Sequence, residues 1–108
     1  MITITVYRKH GKVAGFRCIG HSGYAQSGKD IVCAAVSVLV INTINAIEAF
    51  TASEFDLETE DESGLIAVKL KEEPDHDTEL LLDTMFLGLQ DIQNNYGNEY
   101  LILEYKEV

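Results

Sequence analysis

The hydrophobic period switches between two and 3.6 residues four times along the chain, and this alternation limits the available folds more than any other feature. Ile2, Ile4 and Val6 alternate with Thr3, Thr5 and Tyr7; after a turn at His10-Gly11, residues from Val13 to Ile19 read as the second strand of a hairpin. Residues 20–29 break the pattern with three glycines and two serines, as a loop does. From Asp30 to about Phe50 the composition turns helical, and its first half is apolar on nearly every side, as in a helix buried on more than one face. Phe55 and Leu57 then alternate with Glu54, Asp56 and Glu58, and a turn at Asp61-Glu62-Ser63-Gly64 leads into Leu65 to Leu70, a second hairpin. A second helix starts at Pro74 with Asp75, Asp77 and Glu79 in its first turn, and ends by Gly97. Its residues Leu82, Met85, Leu89, Ile92 and Tyr96 form a stripe that packs on a sheet. Tyr100 to Tyr105 supplies a fifth strand. The order ββαββαβ predicts an α+β two-layer sandwich, with two helices against a mostly antiparallel five-stranded sheet. The 108 residues make one domain, 1–108, large enough to bury a core without disulfides or metal.

Charge narrows the choice of partners. The chain carries a formal −10, with no run rich in Lys or Arg, so direct binding to a nucleic acid is not expected. The balance is uneven. Residues 1–47 hold five basic side chains against Asp30 alone, a balance of +4, whereas residues 48–108 carry 17 acids against three lysines, a balance of −14. The acidic part is either a solvated face or a surface that attracts a cationic polypeptide.

The first residues alternate apolar and polar, without a basic segment followed by an apolar one, and do not read as a signal peptide. The most apolar run, Ile31 to Ile41, is too short to span a bilayer and is interrupted by Ser37, so no membrane partner is expected. A cytoplasmic location follows, where Cys18 and Cys33 are reduced thiols; without a C-x-x-C pair they do not read as a structural zinc site. The all-round apolar first helix also leaves surface for another chain to cover. A homodimer is expected with this helix near its interface, or with sheet edges forming the contact.

Three constellations of chemistry-bearing residues lie between residues 20 and 37. Gly23 to Asp30 matches G-x-x-x-x-G-K, but Asp30 stands where a phosphate-binding loop needs Ser or Thr, and the hairpins argue against the parallel sheet of that fold. Gly20-His21-Ser22-Gly23 echoes G-x-S-x-G, with Tyr24 in place of the last glycine, so a serine nucleophile is not expected. The third is His21 with Cys33. Asp30 or Ser27 can cap the first helix; with Asp30 as cap, Cys33 lies in the first turn, where backbone N–H groups and the helix dipole stabilise a thiolate. Asp30, Cys33 and Ser37 share one helix face, over which the loop can carry His21 to take the thiol proton. The competing reading makes Cys33 a core residue and His21 a solvated loop residue. Cys18, on an alternating strand, reads as core, and His10 and His76 as exposed.

The segments Gly20-His21-Ser22-Gly23-Tyr24-Ala25 and Asp30-Ile31-Val32-Cys33-Ala34-Ala35-Val36-Ser37 resemble those of the ribosomal-processing cysteine protease (Prp) family, and the similarity runs the full length of the chain. The resemblance implies a cytoplasmic, dimeric bacterial endopeptidase that removes a short N-terminal extension from the large-subunit ribosomal protein numbered twenty-seven. By position it makes His21 the catalytic base and Cys33 the nucleophile, with Asp30 and Ser37 supporting the site. Gly20, Gly23 and Gly28 become hinges of a flexible loop over it, and neither metal nor organic cofactor is called for. A non-catalytic ribosome-associated module that grips a basic protein, or a nucleotide-binding switch using the loop from Gly23 to Lys29, are the alternatives.

Overall fold

The computed structural model describes residues 1–26 and 29–108. Its elements run β1 (Ile2–Lys9), β2 (Lys12–Ile19), α1 (Ile31–Phe50), β3 (Phe55–Glu60), β4 (Leu65–Leu70), α2 (His76–Tyr96) and β5 (Leu101–Glu107), the order and type read from the sequence. The first hairpin closes through His10 and Gly11, both with positive φ (53° and 78°), the pattern whose twist suits a two-residue hairpin turn. The five strands form one sheet in the order β3-β4-β2-β1-β5. Three pairings are antiparallel and one, β1 with β5, is parallel.

Register fixes which residues face the helices. Ile4 opposes Cys18 and Leu103, and Cys18 opposes Ile66, so one sheet face presents a row of apolar side chains. Both helices cover that face. Val36, Val40 and Ile47 of α1, with Leu82, Met85 and Leu89 of α2, close over Ile4, Val6, Phe16 and Leu101 in one core. The helices approach closely where Gly88 meets Leu39: a Cβ at Gly88 would stand 2.7 Å from a Leu39 methyl. Capping follows local chemistry. Asp30 accepts from the Cys33 amide and Asp75 from the Thr78 amide, while Gly97, at φ 106°, ends α2.

Helix α1, Ile31–Phe50, has the extent read from the sequence, and within it Thr43 turns its hydroxyl back to the Leu39 carbonyl (2.7 Å) and is buried. By length and composition alone the whole helix could cross a membrane; here one side of it forms the core. One detail departs from the sequence reading: the α2 stripe leaves the sheet before its end. Leu82, Met85 and Leu89 are buried, but Tyr96 is exposed and its ring meets Tyr24 of the loop, centroids 5.6 Å apart. On α1 the side away from the core stays open: Ile31, Val38 and Ile41 are 52%, 70% and 48% exposed.

Candidate active site

The site is built where β2 ends and α1 begins. The chain leaves β2 at Gly20, whose φ of 100° and crowding against the Met1 carbonyl exclude a side chain, and whose N–H donates to the Ser63 carbonyl (2.9 Å). This clamp fixes the direction in which His21 departs. The His21 carbonyl accepts from the Met1 backbone nitrogen, and its ring Nε2 lies 3.0 Å from the Glu62 carbonyl in the turn between β3 and β4. The ring is exposed on the rim of a cleft.

Ser22, next in the chain, turns inward and is only 2% exposed. Its N–H donates to Cys33 Sγ (3.3 Å), and its hydroxyl donates to the Asp30 carboxylate while accepting from the Tyr24 amide (3.2 Å). The sulfur also lies 3.6 Å from Ser22 Oγ. Asp30 uses its other carboxylate oxygen to accept from the Cys33 amide (3.0 Å), so the cap of α1 and the anchor of the loop are one side chain. Burial pushes this carboxyl up, but hydrogen bonds from Ser22, Cys33 and Ala25 outweigh it and hold Asp30 below the usual carboxylate range. Of the two caps open in the sequence, Asp30 is the one seen; Ser27, like Gly28, lies outside the described residues.

The two cysteines differ sharply. Cys33 is partly exposed in the first turn of α1, where backbone N–H groups and the helix dipole favour negative charge on sulfur. Cys18 is buried, and burial, followed by the charge of Cys33, pushes its thiol up to about 11. Both line a cleft of about 440 Å³ between α1 and the β3–β4 hairpin, along with His21, Ser37, Leu57 and Ile66.

The geometry thus brings together His21, Cys33 and Ser37 on one cleft, with Asp30 beneath the sulfur. Among the described residues no hydrogen bond joins His21 to Cys33 or to Asp30, whose acceptor atoms are taken by Ser22 and Cys33. Ser37 has no hydrogen-bond partner among them either. Gly23, at φ 72°, has open space where a Cβ would stand. Among the described residues no group of three or more His, Cys, Asp or Glu converges to hold a metal ion. Two contributors were not singled out from sequence. Ser22 acts through its backbone N–H as well as its hydroxyl, and the Glu62 carbonyl comes from a turn 41 residues away; neither of these main-chain groups has a side-chain signature.

A partly exposed thiol at a helix start, given an N–H donor and sharing a cleft with an imidazole, is an arrangement suited to nucleophilic chemistry. Comparison with known proteins agrees. The family model described as cysteine protease Prp matches residues 1–101. The ribosomal processing cysteine protease Prp of Staphylococcus aureus is 33% identical over 107 residues, covering 98% of this chain and 100% of the relative. Its Bacillus subtilis counterpart is 30% identical over 101 residues, covering 89% and 90%. The crystal structure of the Staphylococcus aureus protease with a covalently linked product peptide superposes with a TM-score of 0.93 at 33% identity, over 98% of this chain and 100% of that one. The family match and the identity to these proteases over nearly the whole chain show that the chain is a cysteine protease and belongs to the Prp family.

Proposed function

We propose that the chain is a cytoplasmic endopeptidase that removes the N-terminal extension of the large-subunit ribosomal protein numbered twenty-seven, with Cys33 as nucleophile and His21 as base. The observation that carries this reading is the Ser22 N–H on Cys33 Sγ (3.3 Å), beside the Asp30 cap, in a cleft that His21 also lines. His21 takes the thiol proton and the Cys33 thiolate attacks the scissile carbonyl. Backbone N–H groups at the start of α1 stabilise the oxyanion. The tetrahedral adduct collapses to a thioester as His21 gives its proton to the leaving amine. Water, deprotonated by His21, then cleaves the thioester and restores the thiol. The covalently linked product peptide of the Staphylococcus aureus relative is in keeping with such a covalent route.

Asp30 supports the site by capping α1 and anchoring Ser22, and Ser37, without a hydrogen-bond partner among the described residues, offers its hydroxyl to the substrate one turn along the cleft. The loop pivots at Gly23, admitting the substrate and then excluding water, with Gly28 as a further hinge outside the described residues, while Gly20, expected as a hinge, is held by Ser63 and Met1 and anchors the loop instead. Two copies associate through the open apolar side of α1, and the protein makes no direct contact with nucleic acid or membrane. Incubation with the extended ribosomal protein tests the reading: the wild type releases the extension, and Cys33→Ala and His21→Ala do not. Cleavage by Cys33→Ala at the wild-type rate would overturn it.

A further inference from the structure

An imidazole has two ring nitrogens, and in the neutral form only one carries a proton. The group beside His21 Nε2 is the Glu62 main-chain carbonyl, which accepts hydrogen bonds and donates none. At 3.0 Å the contact therefore requires the proton on Nε2 and leaves the lone pair on Nδ1. The carbonyl is itself held firmly. Gly64 N–H closes the turn on the Asp61 carbonyl (3.2 Å), and the Ser63 carbonyl accepts from Gly20, the residue immediately before His21. Gly64, at φ 69°, fits so closely that a Cβ there would meet the Gly20 carbonyl and stand 3.3 Å from His21 Cε1. Turn and histidine are thus joined by main-chain contacts on both sides of the ring.

We infer that the β3–β4 turn is the third part of the catalytic constellation: the Glu62 carbonyl orients His21 with its proton on Nε2, so that Nδ1 receives and returns the Cys33 proton. This rests on the protease reading above, and makes Glu62 a positioning residue acting through its backbone. The assignment holds through the cycle. When Nδ1 gains the thiol proton, Nε2 still donates to the same carbonyl; when Nδ1 gives the proton to the leaving amine, the starting tautomer returns. Where many histidine bases are oriented by a carboxylate or amide side chain, this chain spends its nearby carboxylate, Asp30, on the helix cap and Ser22. A backbone carbonyl then supplies direction without charge.

Long-range proton–nitrogen NMR of the imidazoles, with the His21 signals identified by their loss in His21→Ala, reads the tautomer directly in the substrate-free protein at alkaline pH. The expected result is a proton on Nε2, unchanged in Cys33→Ala because the carbonyl and not the sulfur sets it. A proton on Nδ1, or a tautomer that switches when the thiol is removed, overturns the inference while leaving Cys33-dependent cleavage as a separate result. Gly64→Ala, which pushes the turn away from Gly20 and His21, is expected to mix the tautomers and lower kcat about a hundredfold with little change in KM. An unperturbed tautomer with unchanged kcat in that variant would also contradict it. Cleavage that survives Cys33→Ala would defeat the protease reading whatever the tautomer shows.

Discussion

Cys18 and Cys33 line the same cleft from different positions. Cys18 sits on the sheet, buried, with its thiol pushed up to about 11, whereas Cys33 sits at a helix start with the Ser22 N–H on its sulfur. Since the thiolate is the reactive form, iodoacetamide at neutral pH is expected to label one thiol per chain, at Cys33, with Cys18 modified only after unfolding. Peptide mapping that finds Cys18 labelled first in the folded protein would contradict this. Ser22 links the same residues through its hydroxyl. Ser22→Ala keeps the amide on sulfur but removes a donor to Asp30 and an acceptor for the Tyr24 N–H. The expected loss, read by urea unfolding, is about 1–2 kcal/mol.

At the scale of elements, the two helix caps make stability depend on acid. Burial raises the Asp30 carboxyl, but donors led by Ser22 more than reverse this; Asp75 is lowered chiefly by the Thr78 N–H. Both therefore sit below their unfolded range, so their stabilisation is complete above that range and is lost as pH falls through the folded values, below about pH 4. Asp30→Asn with Asp75→Asn, which still cap but do not titrate, is expected to flatten the fall in Tm on acidification. A wild-type slope in the double variant would show that other groups control it. In the core, Leu89→Ala is expected to cost about 2–5 kcal/mol, because Leu89 is fully buried between α2 and the sheet.

These elements were legible in the sequence because their signals are local: alternation at Ile2 to Val6, a stripe at Leu82 to Leu89, acids before α2 and Gly97 after it. The candidate pair His21 and Cys33 was legible through loop composition and capping chemistry. What surrounds it was not. The Glu62 carbonyl reaches His21 across 41 residues, and the clamp of Gly20 on Ser63 and Met1 is main chain against main chain, which no side-chain pattern encodes.

For the whole molecule, the −10 charge and the open side of α1 are the surface features through which contact with other chains is proposed. An acidic body with its excess after residue 47 suits capture of a cationic ribosomal protein, so kcat/KM is expected to fall as ionic strength rises toward physiological values. Salt-independent cleavage would assign the charge to solubility alone. If two copies associate as proposed, Val38→Asp, placed at the most exposed position of the open stripe, is expected to shift sedimentation toward the monomer with the fold intact, and a wild type that already sediments as a monomer would contradict the proposal. In the proposed mechanism, peptide cleavage passes through a thioester on Cys33. Mass spectrometry of acid-quenched mixtures of the enzyme and the extended ribosomal protein tests it most directly. The predicted result is an acyl adduct confined to the peptide containing Cys33 and absent in Cys33→Ala; cleavage with no adduct in the wild type, or an adduct on Cys18, would contradict it.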